Sequence, residues 1–239
     1  MIDEKITLYV KLTNACNLNC SFCFQKNHTE EGHISLDALM TFISNTPQID
    51  HIIILGGEAF LLKKELRRLL DFLLVKGLQV SFITNGTIYY PWLKDYESII
   101  SNIQISIDGG PRSHDSNRLF RNTHLGSYAT VIQNLYKYRN DNLPVTVHGV
   151  VTAQTLSGFM KSQKQFYSDV PKDVPIEIEV EHMQRLTVWQ NFRIYISLKR
   201  SFALAKRMQG FIQYKMTESS RGCKLCPAGI LIFCADVAT

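Results

Sequence analysis

The sequence predicts an α/β protein whose parallel strands form a partial (β/α)6 barrel, and three observations support this fold class. Six short apolar runs rich in β-branched residues recur along the chain, each about as long as a buried parallel strand. Segments with helical spacing separate the runs, so strand and helix alternate. Short segments of polar residues and glycine follow several of the runs. Parallel neighbours require helical crossovers, and eight such units close a full barrel, so six predict a curled and partly open one.

The predicted strands lie at 6–12, 51–55, 79–83, 103–107, 145–151 and 176–180. The intervening helices are predicted from apolar residues spaced three and four positions apart. Ser35 suits the N-cap of the first helix, and Gly77 suits the end of the second because glycine readily adopts the left-handed conformation. Pro91 lies near the start of the short third helix. The helical segments are 35–44, 63–76, 89–99, 128–139, 156–167 and 193–211.

Composition and charge restrict the class of protein further. The chain has 239 residues, of which 45% are hydrophobic and 20% charged, which is ordinary for a globular protein and excludes disordered or collagen-like architectures. The net charge of +5 is spread along the chain, and no basic run predicts nucleic-acid binding. The first residues lack the pattern of a signal peptide, and no stretch of ~18 uncharged residues predicts a membrane span. We therefore expect a cytoplasmic protein without nucleic-acid or membrane partners.

Three of the six cysteines, Cys16, Cys20 and Cys23, lie close together after the first predicted strand. Clustered cysteines in a reducing compartment favour a metal centre over disulfides. Three thiolates can bind three corners of a four-iron cluster, which leaves the fourth iron open to nitrogen and oxygen donors. The alternative is a zinc site in which His28 supplies a fourth ligand, and the spacing alone does not exclude it.

Polar residues also follow the second, third and fourth predicted strands. Residues 56–58 read Gly-Gly-Glu, residues 84–86 read Thr-Asn-Gly, and residues 106–110 read Ser-Ile-Asp-Gly-Gly. Taken alone, the glycine pair and the Asn-Gly pair are most simply turns. Because function collects at the carboxyl ends of parallel strands, we expect these residues to face the cysteine loop. Backbone beside glycine can approach a ligand closely, and the Glu58 carboxylate can accept a hydrogen bond from an ammonium group.

With these motifs the sequence resembles the radical S-adenosylmethionine enzymes. Cys16, Cys20 and Cys23 match the family's Cys-x3-Cys-x2-Cys unaltered, and residues 56–58 match its Gly-Gly-Glu motif, although Ala59 stands where proline is usual. The resemblance covers roughly residues 5–210. It implies a barrel of the radical S-adenosylmethionine type, a [4Fe–4S] cluster, and S-adenosylmethionine bound to the open iron. It also implies one-electron cleavage of that cofactor to a 5′-deoxyadenosyl radical, which abstracts hydrogen from a substrate.

A narrower resemblance begins at the end of the fourth predicted strand. The run from Ser106 to Arg118, which includes Asp108, is similar to peptide-modifying members with a SPASM or twitch extension, among them the anaerobic sulfatase-maturating enzymes. This implies that Ser106 contacts the ribose of the cofactor and Arg118 its carboxylate. The wider family resemblance implies that Phe22, just before the third cysteine, packs on the adenine. The simpler readings are a surface salt bridge for Arg118 and shielding of the cluster for Phe22. The expected cofactor-binding set is Phe22, Gly56, Gly57, Glu58, Asn85, Ser106, Asp108 and Arg118, and no catalytic acid or base is assigned.

The other three cysteines, Cys223, Cys226 and Cys234, follow the barrel pattern. We place the barrel at 1–212 and a cysteine-containing region at 213–239. The latter resembles the start of a SPASM or twitch region, which implies an auxiliary iron–sulfur cluster. Since the sequence ends at Thr239 with only three thiols, we expect an incomplete ligand set in a truncated or naturally shortened member. A zinc knuckle, a disulfide formed in air and free thiols are the alternatives.

These features favour an oxidoreductase-type enzyme that abstracts hydrogen from a peptide, in particular a ribosomally synthesised precursor peptide. Its partners would be that peptide or protein substrate and an electron donor such as flavodoxin or ferredoxin. One alternative is modification of a protein residue, as in sulfatase maturation, or of a small metabolite. Another is a non-catalytic iron–sulfur or zinc scaffold that binds a partner.

Overall fold

The computed structural model describes residues 5–23, 32–152, 154–181 and 213–217, together with 196–197, 199–201, 203–204 and 206–208. The chain divides into two compact units. The first comprises Met1–Ser106 and Asn117–Val145, and the second comprises Ile107–Ser116 and Thr146–Thr239. The three C-terminal cysteines and His28 lie outside the described residues, so the predictions made for them stay predictions.

Four parallel strands form the sheet of the first unit. They are β1 (Ile6–Lys11), β2 (Ile49–Leu55), β3 (Gln79–Thr84) and β4 (Ile100–Ser106), and they pair in that order. In the second unit, β5 (Val145–Val151, whose first residue belongs to the first unit), β6 (Ile176–Glu181) and β7 (Gln213–Thr217) pair in parallel. The helices are α1 (Leu36–Ser44), α2 (Lys63–Lys76), α3 (Pro111–His114), α4 (Tyr128–Asn140) and α5 (Leu156–Asp169).

The core of the first unit is built from alternate strand residues and from one face of each helix. Ile52, Ile54 and Phe82 are completely buried, as are Leu66 and Leu70 of α2. Each such side chain contributes about 1.5–3 kcal/mol when it leaves water. The alternate residues of β2, among them His51, Ile53 and Leu55, are half-buried.

The second unit packs α5 beside α3. Phe159 and Phe166 of α5 are completely buried. Gly109, which follows β4, has a φ of 92°, and a Cβ there would lie 2.5 Å from the Phe159 ring. The position therefore requires glycine for two reasons, the backbone conformation and the close approach of an aromatic ring.

The structure confirms the predicted α/β class and its parallel strands. All six predicted strands are present, and β5 has the predicted ends, whereas β4 begins earlier, at Ile100. The prediction of a helix at 89–99 is wrong, because only Pro91–Tyr96 is helical and it is a 3-10 turn. The sequence analysis did not predict α3 or β7. The domain boundary after residue 212 stays a prediction, and β7 begins directly after it.

Among the described residues, no helix is both long and apolar enough to cross a lipid bilayer.

Candidate cofactor site

The cysteine loop follows β1 and is held by a second segment of the chain, residues 117–121. Three backbone hydrogen bonds connect the two segments in antiparallel fashion: Arg121 to Asn17 (2.9 Å), Asn19 to Leu119 (2.8 Å) and Ser21 to Asn117 (2.9 Å), donor first. The Ser21 hydroxyl also donates to the Asn117 side chain. Cys16, Cys20 and Cys23 are all half-buried in this loop. The pairing fixes the backbone that carries the three thiols.

The same pairing brings Arg118 and Phe22 together. The Arg118 guanidinium lies 5.1 Å from the centre of the Phe22 ring, a distance suited to a cation–π contact. Arg118 is only 8% exposed, so it does not lie on the surface as the simpler interpretation has it. Its carbonyl oxygen accepts a hydrogen bond of 2.7 Å from the buried Ser127 hydroxyl. Arg118 and Phe22 therefore lie at the cysteine loop, where a cofactor carboxylate and adenine are expected.

At the Gly56–Gly57 pair, the end of β2 lies in close contact with the backbone of the cysteine loop. A Cβ on Gly57 would lie 2.2 Å from the Ala15 carbonyl oxygen, and one on Gly56 would lie 2.7 Å from that of Thr13. Gly57 donates a backbone hydrogen bond of 2.7 Å to Thr13. Neither glycine has a positive φ. The motif needs glycine here for close approach between two segments rather than for a special turn conformation.

Glu58 joins the ends of β2 and β3 from a fully buried position. One carboxylate oxygen accepts hydrogen bonds from the Phe60 amide (3.0 Å) and the Thr84 hydroxyl (2.9 Å), and the other accepts one from the Asn85 amide (2.8 Å). Burial raises the pKa of this carboxyl, and the three donors oppose the shift. These contacts position the strand ends. The role of Glu58 as an acceptor for a cofactor ammonium stays a prediction.

Asn85 links the end of β3 to the cysteine loop. Its side-chain nitrogen donates to Asn17 (2.9 Å) and lies 3.7 Å from the Cys16 sulfur, while its side-chain oxygen accepts from the Thr87 amide (3.0 Å) and hydroxyl (2.7 Å). The Asn17 side chain donates in turn to the Thr87 hydroxyl (2.8 Å). The next residue, Gly86, has a φ of 74°, so the predicted Asn-Gly turn is present.

Cys16 is the thiol with the most defined surroundings. Its sulfur accepts from the Leu18 amide at 3.4 Å as well as from the Asn85 side chain. Burial raises the pKa of the Cys16 thiol, the charge of Glu58 raises it further, and the two donors lower it. A bound metal stabilises the thiolate and displaces the proton.

Two other expected cofactor residues lie at the end of β4. Ser106 is its last residue, half-buried, and belongs to the first unit. Asp108 belongs to the second unit and is fully buried, and its carboxylate accepts a hydrogen bond of 3.0 Å from the Val150 amide. His114 is also fully buried, and its ring nitrogen lies 3.3 Å from the Asp108 amide. These contacts give Asp108 a structural part in its own unit.

The donor set suits an iron–sulfur cluster. In the part of the chain that the structure describes, no three His, Cys, Asp or Glu side chains converge to hold a single metal ion. A four-iron cube binds each thiolate at a different iron, so its cysteines need not converge on one point. Cys16, Cys20 and Cys23 are half-buried on one tightly held loop, a setting in which such a cluster can be both ligated and shielded.

Sequence reasoning missed the residues that assemble this site. The pairing partner at 117–121, the Ser21–Asn117 contact, and the Asn17 and Thr87 side chains were not predicted. Asn17 and Thr87 stand beside predicted motif residues, and that proximity was the one signal in the sequence. The pairing of residues about a hundred positions apart has no local signature.

Several named proteins are similar in sequence to parts of this chain. It is 31% identical over 152 residues to the sporulation killing factor maturation protein SkfB of Bacillus subtilis, covering 59% of this chain and 35% of that protein. It is 30% identical over 102 residues to the 7-carboxy-7-deazaguanine synthase of Aquifex aeolicus, covering 42% and 44% of the two chains. The chain thus spans less than half the length of both relatives.

The fold resembles that of solved enzymes. A structure of anSMEcpe with bound AdoMet (S-adenosylmethionine) and Kp18Cys peptide has a TM-score of 0.68 and 20% identity, covering 87% of this chain and 63% of that one. This likeness shows the fold and confirms the predicted barrel class. The sequence profile of the Radical SAM superfamily matches residues 10–160, which is more than half of the chain. The chain therefore belongs to the radical S-adenosylmethionine superfamily, whose cofactors are a [4Fe–4S] cluster and S-adenosylmethionine.

Proposed function

We propose that this chain removes hydrogen from a peptide, in particular from a ribosomally synthesised precursor peptide. The observation that carries the proposal is the 31% identity to a maturation protein, SkfB. The fold likeness to anSMEcpe, solved with a bound peptide, supports it. When bound, a reduced [4Fe–4S] cluster and S-adenosylmethionine would together supply the radical chemistry that removes the substrate hydrogen.

We assign the cofactor-binding roles as part of the same proposal. Cys16, Cys20 and Cys23 bind three irons of the cluster. Arg118 holds the cofactor carboxylate, since a guanidinium offers paired donors to both oxygens, and Phe22 packs on the adenine beside it. The contact between these two side chains supports placing carboxylate and adenine on the same side of the loop.

The remaining members of the set have lesser or supporting parts. The backbone at Gly56 and Gly57 faces the loop at a distance that only glycine permits, and Ser106 lies at the end of β4 as a partner for the ribose. Glu58 and Asp108 are buried and hydrogen bonded within the protein, which supports a positioning role alongside any cofactor contact. Cys223, Cys226 and Cys234 would hold an auxiliary cluster, and flavodoxin or ferredoxin would supply electrons.

The second candidate is a small-molecule substrate. The match to 7-carboxy-7-deazaguanine synthase favours this candidate, because the name of that enzyme indicates a small-molecule product. Its 30% identity to this chain is close to the 31% of SkfB. The same cluster and cofactor roles serve both candidates. They differ in the class of substrate that loses hydrogen.

The first experiment tests the cofactor chemistry. The protein, purified and reconstituted without oxygen, should be brown, give an electron paramagnetic resonance signal on reduction that changes with S-adenosylmethionine, and release 5′-deoxyadenosine. Replacing any one of Cys16, Cys20 and Cys23 by Ala should abolish that release. A colourless, zinc-loaded protein that releases none would identify a partner-binding scaffold and reject the enzyme. Retained release in a Cys→Ala variant would reject that ligand.

The second experiment separates peptide from small molecule. The loaded enzyme is incubated with the peptide encoded by a short reading frame beside its gene, and in parallel with a purine nucleotide. We expect the peptide, but not the nucleotide, to raise 5′-deoxyadenosine release above the rate without substrate. Mass spectrometry should show that the peptide has lost hydrogen. Stimulation by the nucleotide and none by the peptide would favour the small-molecule candidate. Cys226→Ala should impair peptide modification more than cofactor cleavage if the C-terminal cysteines serve the substrate.

A further inference from the structure

The Cys16 sulfur lies between two nitrogen donors that come from different parts of the chain. The Leu18 amide belongs to the cysteine loop itself and lies 3.4 Å away. The Asn85 side-chain nitrogen comes from the turn after β3 and lies 3.7 Å away. Both distances are within the range for hydrogen bonds to sulfur. The Cys16 sulfur thus has two assigned donors.

Asn85 is held so firmly that its amide has little freedom to turn away. Its backbone amide donates to Glu58 at 2.8 Å, and its side-chain oxygen accepts from both the amide and the hydroxyl of Thr87. Because the side-chain oxygen is hydrogen bonded to Thr87, the side-chain nitrogen faces the cysteine loop. There it donates one hydrogen bond to the Asn17 side-chain oxygen at 2.9 Å. The second hydrogen is directed at Cys16. The side chain is 7% exposed, so water competes weakly for this donor.

We infer that Asn85 is a positioning residue that raises the reduction potential of the cluster through its hydrogen bond to the Cys16 sulfur. Reduction adds negative charge to a cluster and its thiolates, and a donor to a sulfur stabilises the charge-rich state more than the oxidised one. Asn85 itself is largely removed from water, and the lower local dielectric strengthens the hydrogen bond. This inference rests on the proposed assignment of Cys16 as a cluster ligand.

The expected effect is a change in a measured equilibrium. For Asn85→Ala we expect about a tenfold lower ratio of reduced to oxidised cluster at a fixed solution potential, since one charge-assisted hydrogen bond is removed. For a one-electron couple this corresponds to a midpoint lowered by about 59 mV. The measurement is a redox titration of the reconstituted protein without S-adenosylmethionine, followed by the paramagnetic signal of the reduced cluster.

A matched variant separates this effect from general loosening of the network. Thr87→Val removes the hydroxyl that contacts Asn17 and Asn85, but it leaves the Asn85 amide nitrogen in place. The Thr87 amide still donates to the Asn85 side-chain oxygen at 3.0 Å, so we expect the midpoint to fall by much less than in Asn85→Ala. Should Asn85→Ala hold no cluster, Asn85→Ser provides the same test, because its hydroxyl stops one bond short of the amide nitrogen.

The outcomes distinguish the inference from the function on which it rests. A lowered midpoint in the Asn85 variants and a much smaller change in Thr87→Val support it. A cluster with the same midpoint in all three proteins overturns the inference and leaves the proposed function intact. An equal drop in Thr87→Val overturns it too, since the network as a whole would then be responsible. Absence of any iron–sulfur cluster in the unchanged protein rejects the proposed function instead.

Discussion

Gly57 has no room for any side chain, because the carbonyl oxygen of Ala15 would lie 2.2 Å from a Cβ and that of Asn14 2.6 Å. Both obstacles are backbone atoms, so they move only if the cysteine loop moves. We expect Gly57→Ala to lower the free energy of unfolding by about 1–3 kcal/mol and to reduce the iron content after reconstitution. The measurements are urea unfolding and iron analysis.

Gly32→Ala is the control for that substitution. Among the described residues, a Cβ there would meet the end of the Asn14 side chain, at 3.3 Å, and that side chain can move aside. Iron content should therefore stay unchanged in Gly32→Ala. Equal iron in Gly57→Ala and in the unchanged protein would show that the close approach is not needed to form the site.

Arg118 is buried against Phe22, and its proposed role can be measured as a binding constant. We expect Arg118→Ala to weaken binding of S-adenosylmethionine to the reconstituted protein by about 1.5–3 kcal/mol, because charge-assisted hydrogen bonds to a carboxylate are lost. Equilibrium dialysis gives the affinity, and the melting temperature shows whether the fold is retained. Arg112→Ala, at an exposed position of α3, should bind normally. Unchanged affinity in Arg118→Ala would remove the carboxylate role.

At the residue scale, the sequence predicted what is local and missed what is assembled from distant parts. The spacing of Cys16, Cys20 and Cys23 is visible in one loop, as is the Gly-Gly pair. The neighbours that give these residues their environment are remote in sequence. Arg121, for example, donates to the Cys16 carbonyl oxygen at 3.2 Å across 105 positions. Such pairings depend on the packing of whole elements and leave no periodic pattern.

Helix α2 shows how an element's ends follow from single residues. It runs from Lys63 to Lys76, as predicted, and Gly77 follows in the left-handed conformation with a φ of 67°. A Cβ at Gly77 would meet nothing within 4 Å, so any loss there reflects backbone conformation alone. We expect Gly77→Ala to lower the free energy of unfolding by about 1–2 kcal/mol in urea titrations. Gly77→Asn should lose less, since asparagine tolerates this conformation.

If Gly77→Ala and Gly77→Asn unfold at the same urea concentration as the unchanged protein, the left-handed cap does not determine where α2 ends. The comparison is sharp because both substitutions are sterically open at this site. Only the backbone preference differs between them.

The elements that the sequence analysis missed or misjudged share a physical cause. Helix α3 has four residues, too few for apolar periodicity, although Pro111 marks its start. The segment Pro91–Tyr96 forms a 3-10 helix, and aromatic side chains at its start pack on other elements. Tyr90 stacks on Phe60 with ring centres 6.2 Å apart, and the Arg67 guanidinium lies 5.6 Å from the centre of the Trp92 ring. Tertiary contacts of this kind override the local helical pattern. Strand β7 reads as a mixed polar run and was not recognised.

At the scale of the molecule, most expected cofactor residues belong to one unit. The cysteine loop, the glycine pair, Asn85 and Arg118 all lie in the first unit, and Asp108 is the described exception. The family match covers residues 10–160 and so includes the whole of that set. The identity of the family was therefore predictable from motifs at strand ends. The substrate was not, because relatives whose names point to different substrates match this chain at nearly equal identity.

Two tyrosines of the first unit, Tyr89 and Tyr138, make the stability of the protein depend on pH in the alkaline range. Burial, together with the nearby Asp141 carboxylate that accepts its hydroxyl hydrogen, raises the pKa of Tyr89 to about 12 from 10.0. Burial also raises the pKa of Tyr138, whose hydroxyl donates to the Ile88 carbonyl oxygen at 2.6 Å. A raised folded pKa means that the folded state holds these protons more tightly than the unfolded chain.

The resulting stability is complete below pH 10 and is lost as the pH rises through the folded value near 12. We expect unfolding to need progressively less urea over that interval. We also expect the ultraviolet absorbance of tyrosinate to appear at higher pH in the native protein than in urea. Tyr89→Phe should flatten part of the decline, because phenylalanine has no proton to lose. Coincident native and denatured tyrosinate curves would contradict the prediction, since burial and Asp141 would then have no effect on these hydroxyls.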